Sequence, residues 1–223
     1  MKLYLSSFRL GDHPERLVDL LPASPRVAVI ANSIDNEDPE LRVAKVAAEL
    51  TWLTELGLRA EELDLRDYSG DSAVSGDSAV SAGSGDELRA RLTQYDGVWV
   101  CGGNVFVLRV AMAHSGADKI LPELIRSEAL VYAGYSAGPC VLAPSLRGLE
   151  LCDDLTQVTG EVIWDGLGVL DHAIVPHLDS PGHPETELLE KVVDLYDRTG
   201  VAYLPMRDGQ ALVVDGPTRE LVQ

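Results

Sequence analysis

Basic residues are scarce in this chain. Lysine and arginine total 18 against 36 aspartates and glutamates, a formal net charge of −18 over 223 residues. A surface of that sign repels phosphate backbones and anionic bilayers, which argues against nucleic acid or a membrane as partner. Cysteine is scarce too. Cys101, Cys140 and Cys152 show no metal-ligand spacing, and an odd count does not build a disulfide framework. No metal or other cofactor is expected. No apolar run nears the length that spans a bilayer, and no basic segment leads into an apolar one at the start. A reducing cytoplasm is the expected compartment.

What remains is an ordinary globular composition, 46% hydrophobic and 24% charged, long enough for one domain with a substantial core. Its organising stretch is Leu130 to Pro144. An apolar run enters Gly134-Tyr-Ser-Ala-Gly138, and a second apolar run leaves it. A strand that turns sharply into a helix at Gly-x-Ser-x-Gly presents one hydroxyl at the tip, here Ser136. Gly134 and Gly138 lack the Cβ atoms that would clash in so tight a turn. Pro139 suits the first turn of the departing helix. The free amides of that helix start favour developing negative charge at Ser136. The alternative is a glycine-rich turn carrying a solvated serine.

Around this turn the pattern reads strand, helix, strand. Strands are expected over Lys2 to Ser6, Arg26 to Ala31, Arg59 to Leu65 and Gly97 to Val100. Helices are expected over His13 to Leu21, Pro39 to Leu56, Val105 to His114, Leu121 to Arg126 and Pro184 to Arg198. Residues 70–81 repeat Gly-Asp-Ser-Ala-Val-Ser in tandem, which reads as a flexible linker-like loop over 70–85 within the one domain, 1–223. Ser84 and Glu87 have capping-box spacing for a helix running to Gln94. Ala173 to Pro176 is a short strand ending on His177. Val201 to Pro205 and Ala211 to Val214 are expected to pair as a hairpin across Arg207-Asp-Gly-Gln210, because Asp-Gly between apolar runs is a hairpin signal. The alternation of near-continuous apolar strands with helices implies an α/β fold, a doubly wound, mostly parallel sheet with helices on both faces.

Three motifs occur in one order: Cys-Gly-Gly-Asn-Val-Phe-Val-Leu at 101–108, Gly-Tyr-Ser-Ala-Gly at 134–138 and Val-Pro-His at 175–177. Together they resemble the dipeptidase E (alpha-aspartyl dipeptidase) family of serine peptidases, which also includes cyanophycinases. The resemblance runs from about Leu3 to Val214. It implies a three-layer sandwich like that of class I glutamine amidotransferases, and short peptides as substrates. It also implies Ser136 as nucleophile and His177 as general base. That pairing makes independent sense, since a serine hydroxyl needs a nearby base and histidine titrates in the right range. The main-chain amides of Gly103 and Ala137 are the expected oxyanion donors, with Gly102 and Asn104 beside the substrate. A side chain at Gly103 is expected to crowd the substrate carbonyl. The acid that orients His177 is expected at Asp208, with Asp153 as the alternative.

The chain departs from the family at one place. The family's aspartyl dipeptidases bind the substrate's N-terminal aspartate with an arginine in the segment after the histidine. Here Leu178 to Lys191 contains no arginine and is dominated by acids. An aspartate-first peptide is therefore expected to meet repulsion there. Other readings stay open: a cyanophycinase-like isopeptidase or esterase on the same scaffold, or a non-catalytic binding protein with a relic site. A cysteine nucleophile is disfavoured because Ser136 holds the elbow tip. A homodimer is compatible with the sequence.

Overall fold

Alternate residues of the same apolar strands pack on opposite faces of one sheet. Leu3, Leu5, Ala28, Ile30, Val98, Val100 and Tyr132 point to one side. Tyr4, Val27, Val29, Trp99, Val131 and Ala133 point to the other. Successive Cβ atoms along a strand alternate faces, so two apolar layers must each be covered by helices.

The computed structural model describes residues 1–69 and 85–223. The tandem repeat, the loop over 70–85 (all but its last residue) and the Ser84 cap lie outside the described residues. The strands are β1 (Lys2–Ser6), β2 (Arg26–Ile30), β3 (Arg59–Glu62), β4 (Gly97–Val100), β5 (Val131–Tyr135), β6 (Ala173–Val175), β7 (Tyr203–Pro205), β8 (Ala211–Asp215) and β9 (Thr218–Val222). The helices are α1 (Glu15–Leu20), α2 (Pro39–Glu55), α3 (Gly85–Leu92), α4 (Val105–Ser115), α5 (Ala117–Arg126), α6 (Ala137–Cys140) and α7 (Thr186–Thr199). The seven-stranded sheet has the order β3-β2-β4-β5-β1-β8-β9. Its first five strands are parallel, and β8 and β9 extend it antiparallel. Leu17, Leu20, Val46 and Leu53 of α1 and α2 cover one face. Residues of α3, α4, α5 and α7, among them Leu88, Phe106, Leu121 and Val192, cover the other. The expected doubly wound α/β sandwich is the fold.

Local signals explain the helix ends nearest the site. Asp38 accepts from the Glu40 and Leu41 amides at the start of α2, with Pro39 as its first residue. Asn104 caps α4 in the same way, accepting from Phe106 and Val107 N–H, and Gly116 ends that helix in the left-handed region.

The expected hairpin across residues 207–210 does not form. A turn is present, with Gln210 N–H on Arg207 O at 3.1 Å, but the strands it joins belong to different sheets. β7 pairs in parallel with β6 in a separate two-stranded sheet. β8 instead runs antiparallel to β1, and its hairpin partner is β9. β8 is buried over four of its five residues and docks on the uncovered edge of β1, where its apolar side chains complete the core. β9 was not expected from the sequence. β3 also stops at Glu62, three residues short of the expected Leu65, where a 3₁₀ turn takes over.

Candidate active site

The serine of the elbow stands at the carboxyl end of β5, the side of an open α/β sheet on which ligands bind. Its backbone lies at φ 52° and ψ −109°, a conformation that L residues rarely hold without surrounding support. The support comes from two sides. Ser136 N–H donates to Ser6 O of β1 at 3.3 Å. The flanking glycines let β4 press against the turn: a Cβ would lie 2.3 Å from Val100 O at Gly134 and 2.4 Å from the same oxygen at Gly138. The elbow glycines are thus required by the neighbouring strand, and not only by the tightness of the turn.

The small parallel sheet positions the base and its acid. Val175 and Pro205 are register partners, and Met206 N–H donates to Val175 O at 2.9 Å, while Leu178 N–H donates to Met206 O at 3.0 Å. Two strand ends held side by side carry His177 and Asp208 into contact. His177 Nδ1 and Asp208 Oδ1 are 2.6 Å apart. Ser7, at the end of β1, ties both down. Its Oγ accepts from His177 N–H at 2.8 Å and donates to Asp208 Oδ1 at 3.0 Å. Ser180 Oγ accepts from Asp208 N–H, and Thr186 Oγ1 donates to His177 O. His177 too has positive φ, 54°. Burial lowers its pKa below the ordinary histidine value, against the opposing pull of the Asp208 bond, and nearby His183 lowers it further. The imidazole is therefore neutral and able to accept a proton at neutral pH.

Ser136 and His177 line one cavity of about 460 Å³, together with Gly102, Gly103 and Tyr135. No hydrogen bond joins Ser136 Oγ to the ring among the described residues, a looseness usual before a substrate is bound. The far wall is the face of α2, where Lys45, Ala48 and Trp52 look into the cavity. Nothing in the helix expected over Pro39 to Leu56 marks this wall in the sequence. Sequence reasoning also missed Phe8 and Arg9. Phe8 sets its ring edge against His177 at 5.8 Å, and the Arg9 guanidinium lies 4.8 Å from the centroids of both Phe8 and Trp52. Glu49 lies deeper, accepting from Trp99 Nε1 and Tyr135 Oη, and burial raises its pKa.

Gly103 has φ 140°, and a Cβ there would lie 2.7 Å from Ser33 O. A side chain at Gly103 would therefore collide with the Ser33–Ile34 segment. The Gly103 and Ala137 amides have no protein acceptor among the described residues. Asn104 is placed differently from the expectation. Its oxygen caps α4 and its nitrogen donates to Asp154 O and Gln157 Oε1, so its amide is engaged within the protein. Asp153 does not reach His177. It accepts from Val105 N–H at 2.7 Å at the start of α4, and burial pushes its pKa up to about 7. It lines a small inner pocket of about 20 Å³ with Ser136, Ala137, Cys152 and Glu185. Cys101 and Cys140 are buried thiols whose pKa values burial raises well above the ordinary value, which makes them poor nucleophiles.

Two arginines outside the segment 178–191 are held by other partners. Arg109 pairs with Asp118 and donates to Asp165 O, and Arg147 lies over the Trp164 ring. No helix among the described residues is long and apolar enough to cross a membrane.

Comparison with known proteins gives one family. An uncharacterized peptidase of Listeria monocytogenes is 28% identical over 164 residues, 74% of this chain and 71% of its own length. Peptidase E of Streptomyces coelicolor is 35% identical over 136 residues, 59% of this chain and 54% of its own. The fold matches that of a candidate peptidase E from Listeria monocytogenes EGD-e with a TM-score of 0.77 at 24% identity, covering 100% of this chain and 98% of the other. It also matches a peptidase from an acI-B1 actinobacterium, with a TM-score of 0.67 at 13% identity over 99% and 86% of the two chains. The sequence model of peptidase family S51 matches residues 79–222, which include the elbow, His177 and Asp208, and the chain belongs to that family.

Proposed function

We propose that this protein is a serine peptidase that hydrolyses short peptides through an acyl-enzyme on Ser136. The observation that carries the reading is the 2.6 Å contact of His177 Nδ1 with Asp208 Oδ1, beside a serine held at φ 52° on the same cavity. His177 Nε2 takes the Ser136 hydroxyl proton as Oγ attacks the scissile carbonyl, then gives it to the departing amine. Asp208 keeps the proton on Nδ1 and stabilises the imidazolium. The Ala137 and Gly103 amides receive the oxyanion, worth a few kcal/mol in such sites. Water then releases the acyl group by the same steps.

The surroundings of Ser136 support a preference for peptides whose first residue is uncharged or cationic. Asp153 and Glu185 stand beside the nucleophile, and an aspartate carboxylate brought near them would meet acids and not a cation. Of the cations on the larger cavity, Lys45 is paired with Glu37, while Arg9 is stacked on aromatic rings and suits the carboxylate at the other end of a short peptide.

The test is turnover of a dipeptide and tripeptide library by wild type and Ser136→Ala, with labelling by a serine-reactive phosphonate. A labelled Ser136 and loss of turnover in the variant are expected. An unlabelled serine, or near-wild-type turnover in Ser136→Ala, refutes the reading.

A further inference from the structure

His177 is stacked on a second histidine. The His177 and His183 rings lie 3.7 Å apart and only 4° from parallel, and Glu185 stands two residues further on. One donor atom from each of the three lies within 4.8 Å of the other two. We propose that His177, His183 and Glu185 form a binding site for a borderline divalent cation of the zinc type, and that its occupancy stops hydrolysis. The binding stands on this geometry alone, and the inhibition rests on the function proposed above.

The donor set selects the metal. Two imidazoles and one carboxylate suit zinc and its neighbours, whereas calcium and magnesium favour oxygen donors throughout. Asp208 holds Nδ1 of His177, which leaves Nε2 as the free donor. A carboxylate behind a histidine in this way fixes the ring and strengthens it as a ligand. His183 Nδ1 receives only a long bond, 3.3 Å from Glu185 N–H, which is readily given up. Stacked imidazoles aim their lone pairs along parallel planes, so His183 must rotate out of the stack to share an ion with His177. A tetrahedral ion with bonds of about 2.0–2.2 Å needs donors about 3.3 Å apart, so the set must also close by roughly 1.5 Å at its widest. The connecting segment permits that movement, because His183 and Glu185 lie ahead of α7 and are only half-buried. All three side chains line the cavity that Ser136 also lines.

The functional consequence follows from the lone pair involved. Nε2 of His177 cannot accept the Ser136 proton while it is bound to a metal. The cation therefore removes the general base without touching the nucleophile, and a chelator returns it.

The experiment is calorimetric titration of chelator-treated protein with zinc chloride, for wild type, His183→Ala and Glu185→Gln, with circular dichroism to verify folding. Wild type should bind one equivalent, and each variant should bind roughly tenfold or more weakly. Turnover should fall in step with occupancy and recover with EDTA. No zinc binding by wild type, or unchanged affinity in both folded variants, overturns the site. Zinc that binds as expected but raises turnover overturns the inhibitory role. A protein that binds zinc as expected yet cleaves no peptide refutes the hydrolase reading and leaves the metal site standing.

Discussion

Replacing Asp153 by asparagine should change the pH dependence of stability in a calculable way. The side chain is half-buried, one oxygen accepts from Val105 N–H, and its pKa rises to about 7, chiefly through desolvation and further through Glu185, against the pull of that hydrogen bond. An unfolded aspartate titrates near 3.9. The folded protein therefore binds this proton more tightly than the unfolded chain does. The stability that protonation supplies is complete below about pH 4, declines as pH rises, and is gone above about pH 7. A difference of about three units at 1.36 kcal/mol each gives at most about 4 kcal/mol. Asparagine retains an oxygen for Val105 N–H and cannot ionise. Urea unfolding of both proteins from pH 4 to 8 isolates the effect, because every other titrating group is common to the two. The stability of Asp153→Asn relative to wild type should climb across this range, by up to that amount, and level off near pH 8. A flat difference would show that the carboxyl is not desolvated. A falling one would show that the start of α4 stabilises the carboxylate by more than burial costs it.

Other outcomes follow from the same geometry. Asp208→Asn should fold, since asparagine also suits the turn, yet lower kcat strongly by removing the charge behind His177. Asp153→Asn should lower it less, and steady-state kinetics at matched folding will rank the two. His177→Ala should cost about as much turnover as Ser136→Ala, because members of one catalytic unit are not additive. The acid limb of kcat/KM against pH should have its midpoint below 6.5, because a histidine of lowered pKa keeps its neutral, active form to lower pH. A midpoint above 6.5 would contradict the dominance of burial. Among dipeptides that differ only in the first residue, those beginning with aspartate should have lower kcat/KM than those beginning with alanine or lysine. Aspartate-first peptides as the best substrates would mean that Arg9 reaches the first residue.

The elbow was readable because its chemistry is local. Five consecutive residues specify the turn, and an apolar strand before it locates the turn at the carboxyl end of a buried strand. The strands of the parallel sheet were readable for a similar reason, since burial on both faces leaves runs such as Val98-Trp-Val100 almost without polar residues. The fate of β7 and β8 was not readable. Asp208-Gly209 looks the same whether its flanking strands pair with each other or with β6 and β1, and the choice is made by edges far away in sequence. β9, Thr-Arg-Glu-Leu-Val, is mostly exposed and shows little apolar pattern. The cavity was hidden by sharing. One helix, α2, gives Val46 to both the core and the cavity lining, so its periodicity carries no mark of the open side. His183 and Glu185 were visible as residues, but their approach to His177 depends on the turn between them.

Ser7 sets a condition on when this chain can act. Its hydroxyl, at the end of the first strand, braces both His177 and Asp208. The strand that leads into it, β1, lies between β5, which leads into the elbow, and β8, which follows Asp208. During synthesis the serine of the elbow emerges some seventy residues before Asp208 does. On the proposed chemistry, a nascent chain displays its nucleophile well before it can use it. Trimming through Ser7 would remove the brace on both residues, and on the proposed chemistry hydrolysis waits until Asp208 has emerged.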